Sequence, residues 1–398
     1  MNSSSSVGER PISSSISQGA ATFSKGLAGV VVDETAVSQV RGEEGQLVYR
    51  GIPIQDIAYR SSFEEMTFFL LRGYLPKVDE LHQITVQMQA AREISIEVRQ
   101  IIDGAPRSAH PMAVLQSAVS AMSLRQGAIP VSRKEDNQNQ AVEIISKLST
   151  CIARISRVRK GLPPVGPRSD LTHVENFLYM AKGQLPDAAD IRVFETACLL
   201  HMDHDFNAST FSGRAIASTE AGLCASVSGA IGALSGPLHG GANERVMEMV
   251  EKIGSKEGAA EWVKKTLANK GKVPGFGHRI YRTTDPRAIV LRDALERIVG
   301  KTGQRREYDI LAVVEKTMIE TLGQQNKDYI RENVDFWSGA LYKCLGFAAD
   351  DFTPIFALAR VVGWCSHILE MWQDNRIYRP SAKYVGPVHA EYTRISDR

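Results

Sequence analysis

The chain has 398 residues, of which 43% are apolar, 23% charged and 7% aromatic. That composition can bury a large core, and the length suggests about two to three domains, or one large domain with a smaller one. Forty-seven basic residues against 45 acidic ones leave a formal charge of +2, which argues against a strongly basic nucleic-acid binder and against an acidic disordered protein, while leaving room for a local anion site.

In chain order, the first 26 residues are rich in serine, carry Glu9 and Arg10, and lack the apolar stretch of a secretory signal. Residues 1–26 are therefore expected to form a flexible tail. No apolar run approaches the roughly 18–20 residues that cross a bilayer, so no membrane association is expected. From residue 27 onward the pattern reads mainly helical. Short strand-like pieces are expected at 29–32, at 46–49 and near the C-terminus. Ser62-Phe63-Glu64-Glu65 has the form of a capping box, followed by Met66, Phe68, Phe69, Leu70 and Leu71. Polar stretches at 133–140, 161–170 and 300–306 read as loops.

Ile310, Leu311, Val314, Met318, Ile319 and Leu322 share one side of a helix expected over 308–322, with Gly323 as its stop. The most apolar helix is expected to begin at Pro354, after Thr353, and to run through Trp364 to Met371. Cys151, Cys198, Cys224, Cys344 and Cys365 form no CxxC and read as buried reduced thiols of a cytoplasmic protein. Two glycine-rich stretches, 229–241 and 271–277, contain or adjoin a histidine and read as hinges or ligand loops. They suggest a large helical domain over 27–240 and 346–398, with a small helical domain inserted at 241–345.

Four segments could carry chemistry. His201-Met202-Asp203-His204 places two histidines three apart, on one face of a helix. The pair with Asp203 could bind zinc, but HExxH is absent and no third ligand has a helpful spacing. The preferred reading makes one histidine a core residue and His204 a neutral donor to a ligand oxygen. The second segment, Gly236-Pro237-Leu238-His239-Gly240-Gly241, pins His239 in a turn where glycines let backbone approach a ligand. Neither glycine stretch forms GxxxxGK[ST] or GxGxxG, so neither supports a nucleotide fold.

The third segment, Pro274-Gly275-Phe276-Gly277-His278, is followed by Arg279, Arg282, Arg287 and Arg292. Guanidinium forks of this kind bind carboxylates or phosphates, although a solvated basic face has the same composition. Arg360 is sharper, because it lies in an apolar helix where an arginine needs an internal acid or a substrate carboxylate. In the fourth segment, Asp335 is flanked by Val334, Phe336 and Trp337. Apolar surroundings raise a carboxylate's pKa and make it a better base, and a helix cap is the alternative role.

GPLHGGANE, GFGHRIYRTTDPRA and NVDFWSG, in this order, closely resemble the citrate synthases of bacterial type. SRVRKGLPPVGPR, HMDHDFNASTF, FTPIFALARVVGW and DNRIYRPSAKYVGP extend the resemblance over nearly the whole chain after the tail. It implies a mostly helical, two-domain homodimer with its site in the cleft. His239 would hold the acetyl-CoA thioester oxygen, His278 would serve the oxaloacetate carbonyl, and Asp335 would remove the acetyl proton. His204, Arg287 and Arg360 would bind oxaloacetate, joined by Arg379 from the partner subunit. For coenzyme A the resemblance offers Lys327, near the lysines that some members carry before the catalytic aspartate, with Arg282 and the backbone of Gly275 and Gly277.

The reaction so implied makes citrate from acetyl-CoA, oxaloacetate and water, and needs no metal or cofactor besides the coenzyme A of the substrate. Rivals are a 2-methylcitrate synthase using propionyl-CoA, a zinc hydrolase on His201, Asp203 and His204, and a helical scaffold without activity.

Overall fold

A computed structural model describes residues 23–125, 127 and 129–398. Most of the expected tail, 1–22, lies outside the described residues. The chain divides into a short N-terminal unit, ending at Glu34, and a main unit from Thr35 to Arg398. In the first, the described residues hold one short 3-10 turn, Lys25–Leu27. The segment 29–32 forms no strand there, and Val31 is 87% exposed.

The main unit is built from helices, as expected. Its only sheet among the described residues is a small antiparallel ribbon of three strands in sequential order, Ser38–Arg41, Gln46–Tyr49 and Ile52–Pro53. Ser38 pairs with Tyr49, and Tyr49 with Ile52. No strand forms near the C-terminus.

Helix ends follow local chemistry. Ser62 Oγ accepts the Glu65 N–H at 3.2 Å to start Phe63–Arg72, and Gly73 closes that helix in the left-handed region. Residues 134–140, read as loop, open the 26-residue helix Lys134–Arg159. Helix Pro286–Thr302 likewise takes the first three residues of the loop expected at 300–306, leaving 303–305 as the connection to the next helix. Helix Arg306–Gln324 runs one residue past Gly323.

Helix Phe352–Met371 starts two residues before Pro354, which sits in its first turn where a missing N–H costs nothing. Every residue from 351 to 368 is buried. The stretch Ala349–Met371 is long and apolar enough to span a bilayer by length and composition, contrary to the expectation that no segment reaches that limit, but it is the buried centre of this unit. Helices Ala188–His201, Ala208–Ala217 and Leu223–Leu234 approach it, and their ends carry the chemically suggestive residues. All five cysteines are free and buried.

Candidate active site

The site is assembled where helices end. Ala188–His201 delivers His204 three residues past its last turn, and the segment 235–241 after Leu223–Leu234 carries His239. The turn 274–278 carries His278, and Val334–Cys344 carries Asp335 in its first turn. Arg287 opens Pro286–Thr302, while Arg360 projects from Phe352–Met371.

The His278 turn is stitched to the Asp335 helix. Asn333 N–H donates to the Gly275 carbonyl at 2.9 Å, its side-chain amide to the Gly277 carbonyl at 2.9 Å, and Gly277 N–H to the Arg331 carbonyl at 2.8 Å. Gly275 has φ +79, and a Cβ there would stand 2.7 Å from the Phe336 ring. Only glycine meets both demands. Asn333 also caps the helix, accepting the Asp335 N–H at 3.0 Å.

Both loop histidines are held in one tautomer. Ile280 and Tyr281 N–H groups donate to His278 Nδ1 at 3.0 and 3.1 Å. That nitrogen is therefore the acceptor and Nε2 carries the hydrogen. Ser209 N–H points at His239 Nε2 at 3.2 Å, so the His239 hydrogen sits on Nδ1. Ser209 is itself pinned by Asn207 and by the Trp364 indole N–H. Burial, with a contribution from Arg287 at His278 and Arg360 at His239, pushes both rings down to about 4. Each is a neutral ring with one N–H left for a ligand.

His204 stands with its ring centroid 5.2 Å from that of His278, and its Nε2 lies 3.4 Å from the Tyr281 hydroxyl. Burial, reinforced by Arg287, His278 and Arg360, keeps it neutral too. Arg287 is fully enclosed and forks onto Asp285, with Nε to Oδ1 at 3.0 Å and Nη2 to Oδ2 at 2.7 Å. Arg360 Nε donates to the His201 carbonyl at 2.8 Å.

Asp335 is the carboxylate that stands out. Its Oδ1 is buried without a hydrogen-bond partner. Burial raises its pKa from 3.8 to about 7 against the opposing pull of Arg287 and Arg360. An acid so placed accepts a proton readily at neutral pH. The arrangement thus offers one base, two neutral N–H donors and buried cations for an anionic substrate.

The structure gathers His204, His278, Arg287, Arg360 and Asp335 within one electrostatic neighbourhood, and Arg360 acts on His239 as well. Arg282, Lys327 and Arg379 are exposed and lie outside it, and Gly275 is buried against Phe336. His201 is the core histidine, its Nδ1 2.7 Å from the Ala197 carbonyl. Among the described residues no group of three or more His, Cys, Asp or Glu could hold a metal ion. Sequence reasoning missed Ser209 as the anchor of His239 and Asp285 as the partner of Arg287. The Asp-Pro pair at 285–286 signals a helix start, whereas nothing local marks Ser209.

A helical enzyme with an acid–base cluster beside buried arginines is the class that fold and site define. A family model described as citrate synthase, C-terminal domain, matches residues 26–381. The chain is 42% identical to the citrate synthase of Deinococcus radiodurans over 376 residues, covering 94% of this chain and 99% of that protein. It is 40% identical to the 2-methylcitrate synthase of Mycobacterium tuberculosis over 364 residues, covering 91% and 90%. It superposes with a TM-score of 0.90, at 31% identity, on citrate synthase from the archaeon Thermoplasma acidophilum in ternary complex with carboxymethyl coenzyme A and oxaloacetate, covering 95% and 100%. The chain belongs to the citrate synthase family and is an enzyme of that type.

Proposed function

We propose that the chain condenses acetyl-CoA with oxaloacetate and water to give citrate and coenzyme A. The observation that carries this reading is the partnerless, burial-raised carboxylate of Asp335 under the same arginines, Arg287 and Arg360, that act on the tautomer-fixed neutral histidines. Asp335 takes a methyl proton from the thioester while His239 Nδ1–H donates to the thioester oxygen, where negative charge develops. A preorganised donor of this kind contributes roughly 3–4 kcal/mol. The new carbon nucleophile attacks the ketone carbon of oxaloacetate, and His278 Nε2–H supports the ketone oxygen as it becomes an alkoxide. Water then cleaves the citryl thioester and releases the thiol.

Oxaloacetate is a dianion, which accounts for Arg287 and Arg360 both standing close enough to act on His204. Arg379 completes the pocket from a second copy in a homodimer. The exposed C-terminal segment favours such an arrangement, since Ile377, Tyr384, Val385 and Val388 stand out from this chain. Helices from 241 to 345 act as the smaller domain that closes over the substrates and excludes water. Arg282 and Lys327, both exposed, suit the phosphates of coenzyme A.

The second reading is 2-methylcitrate synthesis, favoured by nearly equal identity to a 2-methylcitrate synthase. One methylene alters binding by only about 1–3 kcal/mol. Thiol release with acetyl-CoA and propionyl-CoA in parallel, at saturating oxaloacetate, separates the two. Faster turnover of acetyl-CoA is expected. A preference for propionyl-CoA replaces the first reading with the second, and no thiol from either overturns both.

A further inference from the structure

The two buried arginines of the pocket are neutralised in different ways. Arg287 is locked to Asp285 through two hydrogen bonds. Arg360 is equally enclosed, with only Nε hydrogen-bonded and its guanidinium 4.7 Å from the centre of the Phe356 ring. Among the described residues no carboxylate pairs with it directly. A buried guanidinium without a counter-charge carries a large desolvation penalty, so its compensation must come through space.

The compensating charge is Asp203. Burial lowers the Arg360 pKa to about 10, and the Asp203 carboxylate is the chief charge that keeps it from falling further. Asp203 is itself fully buried and remains ionised, because His367, Arg360 and Ser38 outweigh its desolvation. Its Oδ2 accepts from the Ser38 hydroxyl and lies 3.0 Å from His367 Nε2. Oδ1 faces the backbone of Gly363, where a Cβ would come within 2.4 Å of it. Tyr49 hydroxyl donates to the Asp203 carbonyl and receives the Asp203 N–H, both at 3.1 Å. Gly363 N–H donates to the Met202 carbonyl at 3.1 Å. The turn that bears His204 is thereby fastened to the strand ribbon on one side and to the helix of Arg360 on the other.

We infer that Asp203 is a positioning residue for the dicarboxylate substrate: held by Ser38 and His367, it fixes Arg360 in its binding posture beside the His204 turn while leaving the terminal nitrogens of Arg360 open for a substrate carboxylate. A direct ion pair would occupy them, as Asp285 occupies Nη2 of Arg287 along with its Nε. Backbone hydrogen bonds alone would hold the turn, and an uncharged buried residue is often as stabilising as a charged one. The buried charge therefore has its use in the arginine it serves. The identity of the substrate rests on the function proposed above.

Asp203→Asn removes the charge and keeps the shape. The KM for oxaloacetate is expected to rise about tenfold, with kcat within about threefold and the KM for acetyl-CoA unchanged, the pattern of lost ground-state binding. A purely structural role would lower the melting temperature and the active fraction and leave the oxaloacetate KM alone; that result, or a lower KM, overturns the inference. Should this variant fail to fold, Ser38→Ala removes one anchor, and a rise of about threefold in the oxaloacetate KM is expected, with no rise overturning the inference. If the wild-type chain releases no thiol, the functional reading fails on its own. Calorimetric titration with oxaloacetate then decides, since equal affinity of wild type and Asp203→Asn, or no binding by either, overturns the positioning role.

Discussion

Burial shifts titratable groups in several parts of the main unit, and two of them, alike in pairing a lowered histidine with a raised carboxyl, differ in having the makings of a site. Where helices Phe63–Arg72, His173–Lys182 and Ala188–His201 meet, burial pushes His173 down to about 3 and Glu195 up to about 7. In the pocket it pushes His239 and His278 down to about 4 and Asp335 up to about 7. The values nearly coincide, and the surroundings differ. Glu195 accepts the N–H of Phe63 at 3.2 Å, and neighbouring Glu64 accepts that of His173 at 2.7 Å. Phe63 and His173 each begin a helix, so these carboxylates satisfy orphan N–H groups. The His173 ring stacks on Phe63 at 4.3 Å with both nitrogens unbonded. In the pocket, backbone amides fix one nitrogen of each loop histidine and leave the other available. A shifted pKa reports burial, while anchoring combined with an open donor or acceptor reports chemistry.

Paired substitutions strain this contrast most. Asp335→Asn is expected to lower kcat for thiol release by about 10³-fold, the scale of a lost general base. Glu195→Gln keeps an acceptor oxygen for Phe63 and is expected to leave kcat within about twofold, as befits a helix-capping group remote from substrate. A comparable loss at both positions would erase the distinction.

A pH profile sharpens it further. Proton abstraction needs ionised Asp335, so kcat/KM for acetyl-CoA should fall about tenfold per unit as pH drops below about 7. His239 and His278 stay neutral down to about pH 4 and add no limb above that. An acid limb that begins only in the ordinary carboxylate range would remove Asp335 from the role of base.

Much of this arrangement was legible in the chain, for physical reasons that also explain the failures. Asp335 announced itself because its neighbours Val334, Phe336 and Trp337 marked a buried helix, and burial is what raises its carboxyl. His239 and His278 did so because glycine-bearing turns hold them. The opening of helix Lys134–Arg159 was missed because its inward face there is polar. Asn137 and Gln140 are buried, and the Asn137 side-chain nitrogen donates to the carbonyls of Pro130 and Arg133. Apolar periodicity is blind to such a face. The strand expected at 29–32 has apolar residues but no ladder partner among the described residues, while Ser38–Arg41 gains one in Gln46–Tyr49. Ser209 was hidden, and Asp203 was read only as a candidate zinc ligand, because their roles depend on His239 and Arg360, 30 and 157 positions away in the chain.

The smallest expected effect tests the burial side of the contrast. The Asp335 carboxyl has a higher pKa folded, about 7, than its ordinary 3.8. The native state therefore binds its proton more tightly than the unfolded chain does. The stability this contributes is complete below about pH 4 and is lost as pH rises through 7. Asparagine has no proton to lose, so Asp335→Asn should melt at a higher temperature than wild type at pH 8, by about 3 °C, and the gap should narrow towards pH 5. Glu195→Gln should behave in the same way, because burial raises Glu195 from 4.5 to about 7. Calorimetry at the two pH values reads both. A gain at both positions with a loss of turnover at only one would place desolvation in both regions and chemistry in the pocket alone. A pH-independent melting difference at Asp335 would mean that its carboxyl titrates normally, and the argument for it as a base at neutral pH would then lose its physical cause.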